Sequence, residues 1–183
     1  MGNGEKHGML PAEIRRLLQG EILIDLAFLP DDVIGAKGRI FIDAGLEAVW
    51  NSLTDYDNLS RTLPKVVASR VVARNGNEII LEQTGRTGIF FFEKTVNFRL
   101  KVTEKDPQRI EFQQESGDFS VYRGAWILEP APKGNGTLLT YEAELKPDFF
   151  APPILVSFVQ RQDLPGILRA HKHRAETLSR DPA

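Results

Sequence analysis

No cysteine occurs anywhere in the 183 residues. That absence excludes disulfides, thiolate nucleophiles and zinc–sulfur sites together. An excess of either charge is also missing. Twenty-three basic and 25 acidic side chains are interspersed and leave a formal net charge of −2, which offers no field for nucleic acid and no polybasic membrane anchor. No run approaches the ~20 apolar residues of a membrane span. The opening MGNGEKHGMLPAEIRRLL holds no continuous apolar stretch, so no signal peptide is expected. Lys6 stands where a myristoylation signal needs serine or threonine. Together these absences lead us to expect a cytoplasmic protein. There is no GxSxG, and the glycines of GNGEKHG lack the spacing of a phosphate loop. His171 and His173 are two apart on an expected helix, about 200° around it, and cannot share an ion. No metal and no cofactor are expected.

What is present has a readable order. PAEIRRLLQ suggests a short helix stopped by Gly20, and EILIDLAFL and VIGAKGRIFID read as β-runs parted by Pro30-Asp31-Asp32. Leu46, Val49, Trp50 and Leu53 recur at helical spacing, with Asp43 as a candidate cap. Asp55 or Asp57 is a candidate cap for a second short helix that ends near Pro64. Beyond Pro64 the period changes to two, and three hairpins follow, turning at Asn75-Gly76, Asp106-Pro107 and Lys133 to Gly136. From about Pro153 to Arg180 the pattern is helical, with an expected kink or break at Pro165. We expect an N-terminal arm over 1–20 and one domain over 21–183. A single helix covers only one face of so large an antiparallel sheet, so the sheet must curve around it and leave its other face wet.

LTDYDNLSRTLP, the hairpins, GDFSVYRGAWILEP, YEAELKP and the terminal amphipathic helix resemble the START-like (SRPBCC) superfamily. Within it they are similar to the polyketide cyclase/dehydrase and lipid transport branch, which includes Coq10-type coenzyme-Q-binding proteins. The resemblance runs from about Gly38 to Glu176. It implies an α+β helix-grip fold: a curved antiparallel sheet around a long C-terminal helix, with two short helices after the first strand. The run 21–29 lies outside it. The resemblance also implies that the short-helix region closes one end of a ligand pocket, which here falls to Tyr56, Leu59 and Leu63.

Alternation along each strand sorts its side chains, because charged positions mark the wet face. Arg70, Glu78 and Glu82 outside put Ser69, Val71, Ala73, Leu81, Gln83 and Gly85 inside. By the same rule Phe98 and Leu100 face inward, as do Phe112, Gln114 and Ser116, then Tyr122 and Trp126, then Tyr141. On the terminal helix, Leu164, Ile167, Leu168, His171, Ala175 and Leu178 make one stripe, and Phe158 continues it upstream. The polar members of this inner set are uncharged, which suits orienting a ligand inside an apolar cavity. Tyr56 is expected over the cavity mouth with its hydroxyl toward water. Phe90 to Phe92, and the segment Phe149 to Leu155, are apolar connections suited to the rim.

The leading expectation is binding, transport or sequestration of a small hydrophobic molecule such as a lipid, an isoprenoid quinone or a polyketide. Transient contact with a membrane surface and a homodimer are compatible with it. The runner-up is a polyketide cyclase or dehydratase, with Tyr122, Tyr141, His171 and Arg86 as weak catalytic candidates; the absence of an inward carboxylate tells against it. A third reading, a ribosome-associated interaction module, follows from Coq10-type relatives and lacks a basic face to support it.

Overall fold

The computed structural model describes residues 8–89 and 92–180. Chain order is α1 (Pro11–Leu18), β1 (Leu23–Phe28), β2 (Ile34–Ile42), α2 (Leu46–Thr54), a 3-10 turn at Tyr56–Asn58 and α3 (Leu59–Thr62). Then come β3 (Val66–Asn75), β4 (Glu78–Ile89), β5 (Phe92–Lys105), β6 (Arg109–Gly117), β7 (Phe119–Pro130), β8 (Thr137–Pro147) and α4 (Pro153–Arg180). The strands form one curved antiparallel sheet in the order β1-β2-β8-β7-β6-β5-β4-β3. The three hairpins are therefore β3–β4, β5–β6 and β7–β8, and β2 joins the sheet by pairing with β8. The run 21–29 finds its place as β1, an added edge strand on β2.

The principal core lies between the concave face of the sheet and α2 and α4, with Ile40, Ile79, Leu139 and Leu168 among its buried members. Gly38 lets α4 approach the sheet: a Cβ there would lie 2.9 Å from both Leu164 Cδ2 and Leu168 Cδ1. The outer face carries ion pairs where charge had marked it as wet, such as Arg123–Glu144 at 2.6 Å and Lys101–Glu78 at 2.7 Å. One corner of that face is not wet. There α1 buries Leu17 against Leu23 and Leu138, and Glu13 anchors it through Arg39 at 2.7 Å.

Several expectations need correction. α4 runs unbroken through Pro165, because packing of Leu164 and Leu168 on β2 outweighs one missing backbone bond. Leu178 is 38% exposed and ends the stripe early. Ala73 and Ser116 are exposed, not inward. A register shift between Val71 and Ala73 and another at Arg99/Leu100 each insert one residue and reverse the alternation beyond it. The acids expected to cap helices make no side-chain cap bond. Gly45 precedes α2 with no side-chain cap, and the Asp43 amide donates to Glu176 Oε1 at 3.0 Å. Asp57 Oδ1 accepts from the Val71 amide at 2.8 Å, and Asp55 pairs with Arg174 and accepts from Asn58.

Candidate functional site: a cavity under the terminal helix

Between the concave sheet, the segment 53–66 and α4 lies a cavity of about 690 Å³. Its closed end is made by Leu53, Tyr56, Val102, Ile110, Trp126 and His171, and its mouth by Lys65, Arg86, Lys94, Phe149, Phe150 and Leu155. Exposure separates the two: His171 is 2% exposed and Phe150 94%. Asp163 and His171 both line the cavity, eight residues apart on α4, which at the helical rise spans about 12 Å of depth. A larger depression of about 860 Å³ sits on the outer face of the sheet. Its charged groups, including Lys37, Arg109, Arg123, Glu142 and Glu144, pair with one another, so it offers no unmet chemistry.

The polar groups of the closed end are held by specific partners. Ser52, buried on α2, places Oγ 3.0 Å from His171 Nδ1 and 3.4 Å from the His171 carbonyl oxygen. Burial, with a smaller contribution from the Arg174 charge, pushes His171 down to about 3, so the ring is neutral at pH 7. Its Nε2 has no hydrogen-bond partner among the described residues. The Trp126 ring stands edge-on to His171 at 5.1 Å and 4.7 Å from Tyr141. The band continues through Phe112, stacked on Tyr141 at 6.0 Å, to Tyr122, Phe98 and Phe119. Burial raises the hydroxyls of Tyr122 and Tyr141, which also interact with each other. Tyr56 does not point its hydroxyl to water: it is 5% exposed and donates to Glu104 Oε1 at 2.9 Å. Burial and the Glu104 carboxylate both raise its pKa.

Of the residues expected to face a ligand, Tyr56, Leu59, Leu63, Leu81, Gln83, Phe98, Leu100, Phe112, Tyr122, Trp126, Tyr141 and His171 line the cavity. Gln114, Phe158 and Leu168 do not. The Gln114 amide donates to the Phe119 carbonyl at 2.6 Å and so closes the β6–β7 connection. Phe158 is half exposed on the far side of α4, and Leu168 is filled in against Gly38. Arg86 sits at the mouth, 53% exposed and 4.0 Å from Glu93, away from the phenols and His171. The side chains of the aromatic run 90–92, expected at the rim, lie outside the described residues. Sequence reasoning missed Ser52, although a serine between Val49 and Leu53 on an apolar stripe was the available signal. No group of three metal-ligating side chains occurs among the described residues. None of the described helices is long and apolar enough to cross a membrane.

A statistical description of one family, polyketide cyclase / dehydrase and lipid transport, matches residues 42–172, most of the chain. The chain belongs to that family. No protein with a curated description matches it in sequence. Among solved structures, this member of the polyketide cyclase / dehydrase and lipid transport family is similar to a START superfamily protein from Mycobacterium smegmatis. The two are 16% identical over 79% of this chain and 98% of the other, with a TM-score of 0.67. It is also similar to the Zhui aromatase/cyclase from Streptomyces sp. R1128, at 13% identity over 82% and 98% of the chains and a TM-score of 0.68. A STAR-related lipid transfer protein from Xanthomonas axonopodis aligns at 16% identity over 83% and 98%, TM-score 0.61. These likenesses establish the START helix-grip fold. β1 and most of β2 precede the matched residues.

Proposed function

We propose that this protein binds a small, largely apolar molecule in the cavity and carries or sequesters it, with a lipid, isoprenoid quinone or polyketide as the ligand class. One observation carries the reading: the deep wall of a cavity of about 690 Å³ is apolar and aromatic, while its charged members, Lys65, Arg86, Glu93, Lys94 and Asp163, gather at the mouth. That volume falls within the range of small-molecule sites. Burying on the order of 300 Å² of apolar ligand surface yields roughly 7 kcal/mol before the costs of association. The mouth supports transient contact with a membrane surface, since Phe150, Ile154 and Leu155 are exposed beside it.

The cyclase or dehydratase reading has one observation in its favour, the gathering of Tyr122, Tyr141 and His171 along one wall. Their proton chemistry weakens it. A histidine lowered to about 3 is a poor base at pH 7, and phenols raised by burial are poor acids. The test is mass spectrometry of an organic extract of the purified protein. We expect a stoichiometric apolar molecule, lost on Leu100→Trp. An empty wild-type protein that also takes up no apolar fluorescent probe would sink the reading.

A further inference from the structure

We propose that the closed end of the cavity recognises the uncharged, oxygen-bearing planar ring of an amphiphile, a phenol or quinone-like head, with His171 Nε2 as its hydrogen-bond partner. This rests on ligand binding in the cavity as argued above. It adds which end of the ligand enters first and what chemistry selects that end.

Three observations converge. First, the imidazole is fixed: Ser52 holds Nδ1 at 3.0 Å, and Trp126 packs edge-on at 5.1 Å. The remaining nitrogen, Nε2, has no partner among the described residues and belongs to a residue that is 2% exposed and lines the cavity. A ring nitrogen left without a protein partner in a residue of that wall is open to a hydrogen-bonding group of the ligand. Second, Trp126, Tyr141 and Phe112 form a contiguous aromatic wall beside that nitrogen, with ring centroids 4.7 and 6.0 Å apart, a surface against which a planar ring stacks. Third, among the described residues no cation lines this end; the cationic members of the lining, Lys65, Arg86 and Lys94, stand at the mouth. Arg174 pairs with Asp55 and is not part of the lining, and Glu104 lies behind Tyr56. A carboxylate or phosphate placed here would be a buried charge without a partner, so an ionic head is selected against. An alkyl tail then runs outward past Leu81, Val96 and Leu145 to the apolar rim.

The test is displacement of the neutral probe N-phenyl-1-naphthylamine at pH 7 by 4-butylphenol, butylbenzene and 4-butylbenzoate. We expect the phenol to displace the probe at a concentration about tenfold or more below either of the others, the yield of one well-made hydrogen bond. In His171→Leu the phenol and the hydrocarbon should differ by less than about threefold, and His171→Gln should restore part of the preference. Circular dichroism monitors folding. If His171→Leu does not fold, Ser52→Ala decides, because it frees the imidazole to turn and should shrink the preference. A wild-type protein that fails to bind the probe overturns the ligand-binding reading itself. Probe binding with equal displacement by all three compounds, or a phenol preference untouched in the variants, overturns the head-group site alone.

Discussion

At the scale of single residues, the pair Ser52–His171 shows how a polar contact settles inside an apolar interior. His171 sits in a stripe of Leu164, Leu168 and Ala175, and Ser52 meets it from α2. Removing that hydroxyl leaves a buried ring nitrogen without its partner. Ser52→Ala should therefore lower stability by about 1–2 kcal/mol in urea titration. The histidine also makes stability depend on pH. Its folded pKa of about 3 lies below the unfolded ~6.5, so between those values the unfolded chain binds the proton and the native chain does not. Stability is fully present above pH 6.5 and declines as pH falls toward 3. By pH 5 the loss amounts to roughly 2 kcal/mol. Glu13, Glu111 and Glu176, lowered by their hydrogen bonds and ion pairs, add losses at more acidic pH. The informative quantity is thus the difference between wild type and His171→Gln, which should lack the component between pH 6.5 and about 3 and keep the carboxylate losses. Identical pH profiles in the two proteins would contradict a buried neutral imidazole.

At the scale of elements, the segment 54–64 is held by acids that reach across the fold rather than along the chain. Asp57 binds the middle of β3 at Val71 and Asp55 binds α4, so the short helices are tied to both walls of the cavity. Asp57→Ala should loosen α3, seen as faster amide exchange at Leu59 to Leu63 with β7 and β8 unchanged. The strands carry a second expectation, in which two glycines differ. A Cβ on Gly124 would collide with backbone, the Glu142 carbonyl oxygen and Ala143 Cα, whereas on Gly38 it meets the ends of two leucines. Gly124→Ala should cost roughly 1–3 kcal/mol or more, and Gly38→Ala measurably less, by thermal unfolding. Element identity was legible locally because hairpin turns and period-two alternation are written in consecutive residues. The exceptions at Ala73 and Ser116 arose where a bulge reset the phase, and a bulge has no marker in either stretch.

At the scale of the whole molecule, a sheet of eight strands closes on one helix without the helix filling the concavity. The half of α4 near Leu164 and Leu168 packs directly on β2 across Gly38. The face carrying Val156, Gln160, Asp163 and Ile167 looks into open volume instead. Enlarging a wall residue should convert that volume into core. Leu100→Trp is expected to reduce uptake of an apolar probe about tenfold or more, while the protein stays folded with a melting temperature within a few degrees of wild type. Unchanged uptake would place the binding volume somewhere other than this cavity.

The chain alone determined the antiparallel hairpins, the helical end, and the inward set of Leu81, Phe98, Phe112, Tyr122, Trp126 and Tyr141, since each follows from the period and polarity of neighbouring residues. Tertiary structure decided what depends on residues distant in sequence. β1 was assigned to the edge of β2, Tyr56 to Glu104 and Ser52 to His171 across 119 positions. The depth ordering of the cavity, neutral and aromatic within and charged at its mouth, belongs to the same class. Local pattern states which way a side chain faces; only the assembled sheet fixes what it faces and how far that lies from water.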